Sequence, residues 1–288
     1  MKELELQWQS SDNLAFYVKV WDPEEAPRAV VCLIHGIGEH INRYNHWASA
    51  FVNEGYAVIG FDQRGHGRSE GKRGHAPSYE ILLQDIELLL NKSRERHPDI
   101  PDILFGQSLG GNLVLNYVLR KEVKPTCAIA SSPWLRLAYD IPAIQEKLGR
   151  ILIRMVPGLI QKSNFNVNDL SRDPEVVQRY IEDPLVHNRV SLNLGFLSID
   201  AGLWALENAG NLDLPVLLMH GDSDKITSHH ATIEFSGKAK SFTWLKIWEG
   251  LTHELHNEPE KKAVFDFVLN WIRIYTEKDT LYDNSDLS

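Results

Sequence analysis

Apolar positions alternate with polar ones at the start of the chain. Leu4, Leu6 and Trp8 each sit beside a polar residue, Ser11-Asp12-Asn13 makes a turn, and Leu14 to Val20 continues with mixed alternation. This predicts a β-hairpin. After the Pro- and Glu-rich stretch Asp22 to Pro27 the pattern changes to short, continuous, branched runs: AVVCLI (Ala29–Ile34) and YAVIGF (Tyr56–Phe61). Such runs fit strands buried on both faces, hence a parallel sheet covered by helices. Between them Ile41 to Asn53 has helical spacing and stops before Gly55, a helix-ending residue. The rhythm continues with an amphipathic helix over Tyr79 to Glu95, a strand at Asp102–Phe105, a helix over Leu109 to Leu119 and a strand at Cys127–Ala130. Downstream come a strand at Pro215–His220, a helix over Ser228 to Ala239, a strand at Phe242–Trp248 and a closing helix over Lys261 to Tyr275. The predicted class is α/β, with a mostly parallel central sheet flanked by helices.

One segment interrupts the alternation. From about Pro133 to Ala205 no buried-strand pattern occurs, only helical patterns divided by Pro142, Pro157, Pro174 and Pro184. The expectation is a core of residues 1–132 and 206–288 with an all-helical cap, 133–205, inserted between two sheet strands. GRILIRMVPGLI (Gly149–Ile160) is the most lipophilic stretch outside the strands. Leu148, just before it, and Ile151, Leu152, Met155, Val156 and Leu159 within it are candidates to line an acyl-chain tunnel. The alternatives are a lid face that touches lipid, or simple packing of cap on core. Arg150 and Arg154 fit either a snorkelling role at an interface or ordinary solvated charge. The tail from Asp279 is polar and expected to be mobile.

Composition narrows the partners. Lys+Arg 30 against Asp+Glu 39 leaves a formal charge of −9 over 288 residues, which disfavours nucleic-acid binding. No apolar run approaches the ~18–20 residues of a membrane span, and MKELELQWQ lacks the apolar run of a signal peptide. The expectation is a soluble cytoplasmic protein, peripheral to membranes at most through transient contact by the cap. The two cysteines, Cys32 and Cys127, lie inside apolar runs and read as buried thiols rather than a disulfide or metal framework.

The most informative stretch is FGQSLGG. Gly106-Gln107-Ser108-Leu109-Gly110 fits G-x-S-x-G between a predicted strand and a predicted helix, the setting of a nucleophile elbow. Small flanking residues relieve a turn that would be strained by any side chain, and the helix N-terminus favours a developing oxyanion. A serine hydroxyl needs a base, and the base needs an acid to orient it. Acids follow the strand Pro215–His220 as Gly221-Asp222-Ser223-Asp224, and His253 follows the strand Phe242–Trp248. Asp224 is favoured over Asp222 because the longer loop reaches toward the next strand end. His256 competes with His253 but sits nearer the closing helix, where it would face solvent or cap that helix. His220 reads as a packed, hydrogen-bonded histidine, and His229 and His230 as surface residues. The backbone N–H groups of Leu109 and of Ile37, in the loop His35-Gly36-Ile37-Gly38-Glu39, are the candidate oxyanion donors.

Taken together, HGIGEHINRY (His35–Tyr44), FDQRGHGRSEG (Phe61–Gly71), FGQSLGG (Phe105–Gly111), LLMHGDSDKI (Leu217–Ile226) and EGLTHELHNE (Glu249–Glu258) resemble the α/β-hydrolases of the monoacylglycerol lipase and lysophospholipase group. LSRDPEVVQRYIEDPLVH (Leu170–His187) is similar to that family's cap segment. The resemblance implies an eight-stranded sheet, a helical cap, the triad Ser108, Asp224 and His253, and oxyanion donors at Ile37 and Leu109. It places Arg64, His66 and Glu39 in structural turns. It departs from the family at Gln107, Leu109 and Ile37, where histidine, methionine and a smaller residue are common; no backbone donor is lost. The implied chemistry is ester hydrolysis through an acyl-enzyme on a small lipid-like ester, a monoacylglycerol first, with no metal or organic cofactor. Lysophospholipase, general carboxylesterase or aminopeptidase activity, or a non-catalytic ligand-binding role, are the alternatives. Ser108 at the elbow excludes the acid nucleophile of dehalogenases and epoxide hydrolases.

Overall fold

The computed structural model describes residues 1–163 and 165–277; the tail from Asp279, expected to be mobile, lies outside them. The hairpin strands β1 (Lys2–Gln9) and β2 (Ala15–Asp22) pair antiparallel from Lys2↔Asp22 to Gln9↔Ala15. Then β3 (Val30–Ile34), α1 (Asn45–Asn53), β4 (Ala57–Phe61), α2 (Tyr79–Arg96), β5 (Asp102–Gln107), α3 (Leu109–Arg120) and β6 (Cys127–Ser131) alternate as expected. The chain returns to the sheet with β9 (Val216–Gly221), α7 (His229–Ala239), β10 (Thr243–Trp248) and α8 (Lys261–Thr276).

One sheet of eight strands in the order β1-β2-β4-β3-β5-β6-β9-β10 carries the fold. Only β2 runs against its neighbours; from β4 to β10 every pairing is parallel. The unbroken apolar runs follow from this geometry, because successive residues point to opposite faces and both faces are covered. Val30, Cys32 and Ile34 of β3 belong to the apolar layer that α2, α3 and α7 complete on one face of the sheet, whereas Val31 and Leu33 belong to the layer of α1 and α8 on the other. Both cysteines are buried and free, and burial pushes the Cys32 thiol up to about 12.

Between β6 and β9 lie α4 (Ala143–Met155), β7 (Ile160–Lys162), α5 (Pro174–Glu182), β8 (Arg189–Ser191) and α6 (Leu192–Asn208). The insertion is therefore not all-helical: β7 and β8 form an antiparallel ribbon, Ile160↔Ser191 to Lys162↔Arg189. Three residues per strand are too few for an alternation to register in sequence. Helix α6 runs across the expected border at 205/206. Its buried Ala201, Ala205 and Leu206 join the core with α2 and α3. Asn112 and Asn116 of α3 donate their side-chain amides to Ser198 O and Ala201 O, each at 3.1 Å, and so tie α6 to the sheet's covering layer.

Candidate active site

Ser108 occupies the one-residue turn between β5 and α3 with φ 55° and ψ −114°. That left-handed backbone is held by its neighbours. A Cβ on Gly106 would stand 2.2 Å from Gly110 O, and one on Gly110 would stand 2.2 Å from Ile34 O. Glycine at both positions is thus a steric requirement, and the strain it permits lifts the serine above the carboxyl edge of the sheet.

The loops that follow β9 and β10 carry Asp224 and His253. Asp224 and His253 are buried, and His253 Nδ1 lies 2.7 Å from Asp224 Oδ2. The loops are fixed on both sides. Asp224 Oδ1 accepts the N–H groups of Ile226 at 2.7 Å and Thr227 at 3.0 Å. Thr252 N–H donates to Glu258 Oε1 at 3.0 Å, Glu254 N–H to Leu170 O at 2.8 Å, and Gln107 Nε2 to His253 O at 3.3 Å. Burial would raise the Asp224 pKa, but the two histidines beside it outweigh that and hold it well below the usual carboxylate range. Burial would lower His253, and the Asp224 charge overcomes it, so the imidazole pKa is raised.

The competing residues go elsewhere. Asp222 is exposed and accepts the Gly250 N–H at 2.7 Å, bracing a loop. His256 is a correction: it is buried rather than solvent-facing, stacked on Tyr44 at 4.5 Å, and burial lowers it to about 3. His230 is exposed and His229 half-buried on α7. His220 is packed and hydrogen-bonded as expected, and one of its partners is Asp224. Arg64 pairs with Asp85 at 2.7 Å and Asp12 at 2.9 Å, and His66 is buried in the turn after β4.

The turn after β3 carries Ile37. Gly36 N–H donates to Glu39 Oε1 at 2.6 Å, which orients the following peptide. Among the described residues neither the Ile37 nor the Leu109 N–H donates to a protein acceptor. Glu39 also pairs with Arg43 at 2.5 Å, and Arg43 grips Glu254 through two bonds of 2.7 Å, with its guanidinium over the Tyr180 ring. Burial raises Glu39 despite Arg43, while in Glu254 the Arg43 contacts overcome burial and hold the carboxyl at about 2.

Ser108, His253 and Ile37 open on one cavity of about 460 Å³. Near the reacting groups its walls are Glu39, Arg43 and Glu254; the cap adds Phe165, Leu192, Gly195, Phe196 and Ile199. Leu148, Ile151, Leu152, Met155, Val156 and Leu159 are not among the lining residues, which corrects the tunnel expectation. All six are exposed, Met155 at 75%. Helical spacing shows which residues share a face, but not whether that face points in or out. From α4 it is Gln145 and Gly149 that line the cavity, and a Cβ on Gly149 would strike the Phe196 ring at 2.6 Å. Sequence reasoning missed Gly149, Gly195, Phe196 and the Arg43–Glu254 clamp. Only the i, i+4 spacing of Glu39 and Arg43 pointed to any part of them.

A serine at the turn after β5, an aspartate after β9 and a histidine after β10, in that chain order at the carboxyl edge of such a sheet, are the arrangement of the α/β-hydrolases, and this fold is theirs. Residues 25–260 match the family described as Hydrolase_4, serine aminopeptidase S33, and the chain belongs to it. It is 36% identical over 267 residues to an uncharacterized abhydrolase domain-containing protein of Dictyostelium discoideum. That match takes in 92% of this chain, which spans only 28% of that protein's length. It is 35% identical to a monoacylglycerol lipase of Mycolicibacterium smegmatis, over 88% of this chain and 91% of that one. The crystal structure of a Paleococcus ferrophilus monoacylglycerol lipase superposes with TM-score 0.81 at 31% identity, covering 96% of this chain and 100% of the other. Among the described residues no helix is long and apolar enough to cross a membrane.

Proposed function

We propose that the protein hydrolyses monoacylglycerols to glycerol and fatty acid, with Ser108 as nucleophile, His253 as base and Asp224 as its orienting acid. The observation that carries this reading is the buried Asp224–His253 pair at 2.7 Å opening on the same cavity as the strained Ser108. His253 Nε2 takes the Ser108 proton as Oγ bonds to the ester carbonyl carbon. The oxyanion receives the N–H groups of Ile37 and Leu109. The carbon–oxygen bond to glycerol then breaks, and His253 returns the proton to the leaving oxygen. Water, deprotonated by the same imidazole, attacks the acyl carbon and releases the acid from Ser108. Asp224 stays ionised throughout and holds His253 with Nδ1 protonated.

Substrate preference follows from the cavity walls. Carboxylates and a guanidinium near the reacting groups suit a small polyhydroxyl leaving group, and the apolar residues of the cap suit one acyl chain. We assign residues 133–205 the role of cap over this cavity. The apolar face of α4, with Ile144 and Met155 each 75% exposed beside Lys147 and Arg154, is the part of the cap that meets lipid surfaces. Purified protein on a panel of mono-, di- and triacylglycerols and lysophospholipids tests the preference. Monoacylglycerol is expected to give the highest kcat/KM, and equal activity on triacylglycerol would overturn it. Met155→Glu is expected to weaken flotation with anionic vesicles while leaving hydrolysis of a soluble short ester intact.

A further inference from the structure

The acid of the proposed triad has a second imidazole. His220 lies at the end of β9, fully buried and in register with Ile247 of β10. Its Nε2 is 3.0 Å from Asp224 Oδ2, the oxygen that also faces His253 Nδ1 at 2.7 Å and Thr227 Oγ1 at 2.9 Å. On the other side of the ring, Nδ1 is 2.8 Å from Thr232 Oγ1 of α7. A carboxylate oxygen offers only acceptors, so the atom facing Asp224 must carry the proton. Nδ1 then accepts the Thr232 hydroxyl proton. Asp224 therefore selects the tautomer in which His220 donates to it, and the Thr232 hydroxyl supports that tautomer by donating to Nδ1.

We infer that His220 is a positioning residue for catalysis: it anchors the loop-borne Asp224 carboxylate to a rigid strand and limits the negative charge that Asp224 presents to His253. This rests on the triad proposed above. Each N–H donated to Oδ2 by a residue other than His253 draws charge away from the His253 bond, and so lowers the tendency of His253 to take up a proton. His220 thereby tempers the upward pull of Asp224 on the base and keeps more of it unprotonated near neutrality. The ionisable groups around the pair are His229 on α7, with ring centroid 6.3 Å from that of His220, Asp222 in the same loop as Asp224, and Glu39 and Glu254 near His253. None of these contributes a hydrogen bond to Asp224 among the described residues.

The test compares His220→Leu, His220→Gln and Thr232→Val with the wild type on a soluble butyrate ester. Steady-state rates are taken across the acid limb, with thermal melting in parallel. For His220→Leu, kcat is expected to fall about tenfold to a hundredfold with KM changed less than about twofold. The acid limb of kcat/KM is expected to move up by about half a pH unit, because Asp224 then concentrates its charge on His253. His220→Gln, which can aim an amide N–H at Oδ2, is expected to recover most of both. A role confined to packing would lower the melting temperature and leave the limb in place. If His220→Leu does not fold, Thr232→Val carries the test, since losing the hydroxyl that donates to Nδ1 loosens the ring that holds Asp224 and is expected to move the limb the same way. A folded His220→Leu or Thr232→Val with an unmoved limb and kcat within about twofold of wild type overturns the inference. Labelling of wild-type Ser108 by a fluorophosphonate separates the two levels: labelling with an unmoved limb rejects His220 alone, and no labelling rejects the triad itself.

Discussion

Replacing Asp224 by asparagine changes one atom, and the surroundings dictate where the amide must point. Oδ1 accepts two backbone N–H groups, from Ile226 at 2.7 Å and Thr227 at 3.0 Å. Turning the amide NH₂ toward them would leave two buried donors facing a donor, at about 1–3 kcal/mol each. The amide therefore settles with its oxygen there and its NH₂ at the Oδ2 position, 2.7 Å from His253 Nδ1, because the side-chain donors at Oδ2 can readjust: the Thr227 hydroxyl turns to Ser132 O and His220 moves its proton to Nδ1 against the Thr232 hydroxyl. His253 must then accept at Nδ1 and carry its proton on Nε2, the nitrogen that has to take the Ser108 proton. The base is lost although the geometry survives. Turnover is expected to fall about 10⁴-fold, about 5 kcal/mol on the barrier, with melting close to wild type. The assay is initial-rate hydrolysis of p-nitrophenyl butyrate, with Asp222→Asn as the internal comparison. Asp222 is exposed and among the described residues its side chain braces only Gly250 and Ser223, so its variant is expected to stay within about threefold of wild type. If Asp224→Asn turned over within about tenfold of wild type, the tautomer reasoning would be refuted.

The cavity makes a second prediction. A Cβ on Gly195, which lines the cavity, would meet Val190 Cγ1 at 3.7 Å, an ordinary contact, so Gly195→Leu is expected to be accepted there and to narrow the space proposed for the acyl chain. Long-chain monoacylglycerol kcat/KM is expected to drop at least about tenfold, with butyrate esters held within about twofold; equal losses on both would refute an acyl path past α6. For the elbow, Gly110→Ala places its methyl 2.2 Å from the fixed Ile34 carbonyl, and urea melts are expected to lose about 3 kcal/mol or more of stability. An unshifted midpoint would contradict the close packing. For pH, His253 is raised because the Asp224 charge outweighs burial. Since the neutral imidazole is the base, kcat/KM is expected to fall with decreasing pH through a midpoint above about 6.5. In Asp224→Asn the residual activity is expected to show its midpoint lower; a wild-type midpoint at or below the ordinary histidine value would contradict the pairing.

The central strands were legible because a strand covered on both faces must be apolar at every position, as VVCLI of β3 and AVIGF of β4 are. The elbow was legible because its sterics demand glycine on either side of Ser108, a local constraint that leaves a local mark. Asp224 and His253 could be ranked by chain order and loop length. His220 was legible only as a packed histidine, since its tie to Asp224 depends on how the loop after β9 folds back over the strand. The Arg43–Glu254 clamp joins residues 211 positions apart, and no local pattern announces it. The amphipathic pattern of α4 was clear, but its direction is set by Gly149, which brings the helix against Phe196 and turns Met155 and Ile144 outward. The β7–β8 ribbon is held by three paired positions and by Ser191 N–H donating to Gly74 O at 2.7 Å, contacts that a six-residue alternation could not reveal.

The most direct measurement is intact-protein mass spectrometry with peptide mapping after reaction with a fluorophosphonate, carried out on the wild type and on Ser108→Ala. One adduct per chain is expected, on the peptide containing Ser108, with ester hydrolysis abolished in step with labelling and neither signal in Ser108→Ala. Ester hydrolysis that persists in the Ser108→Ala protein, or an adduct mapped to another residue, would contradict the account.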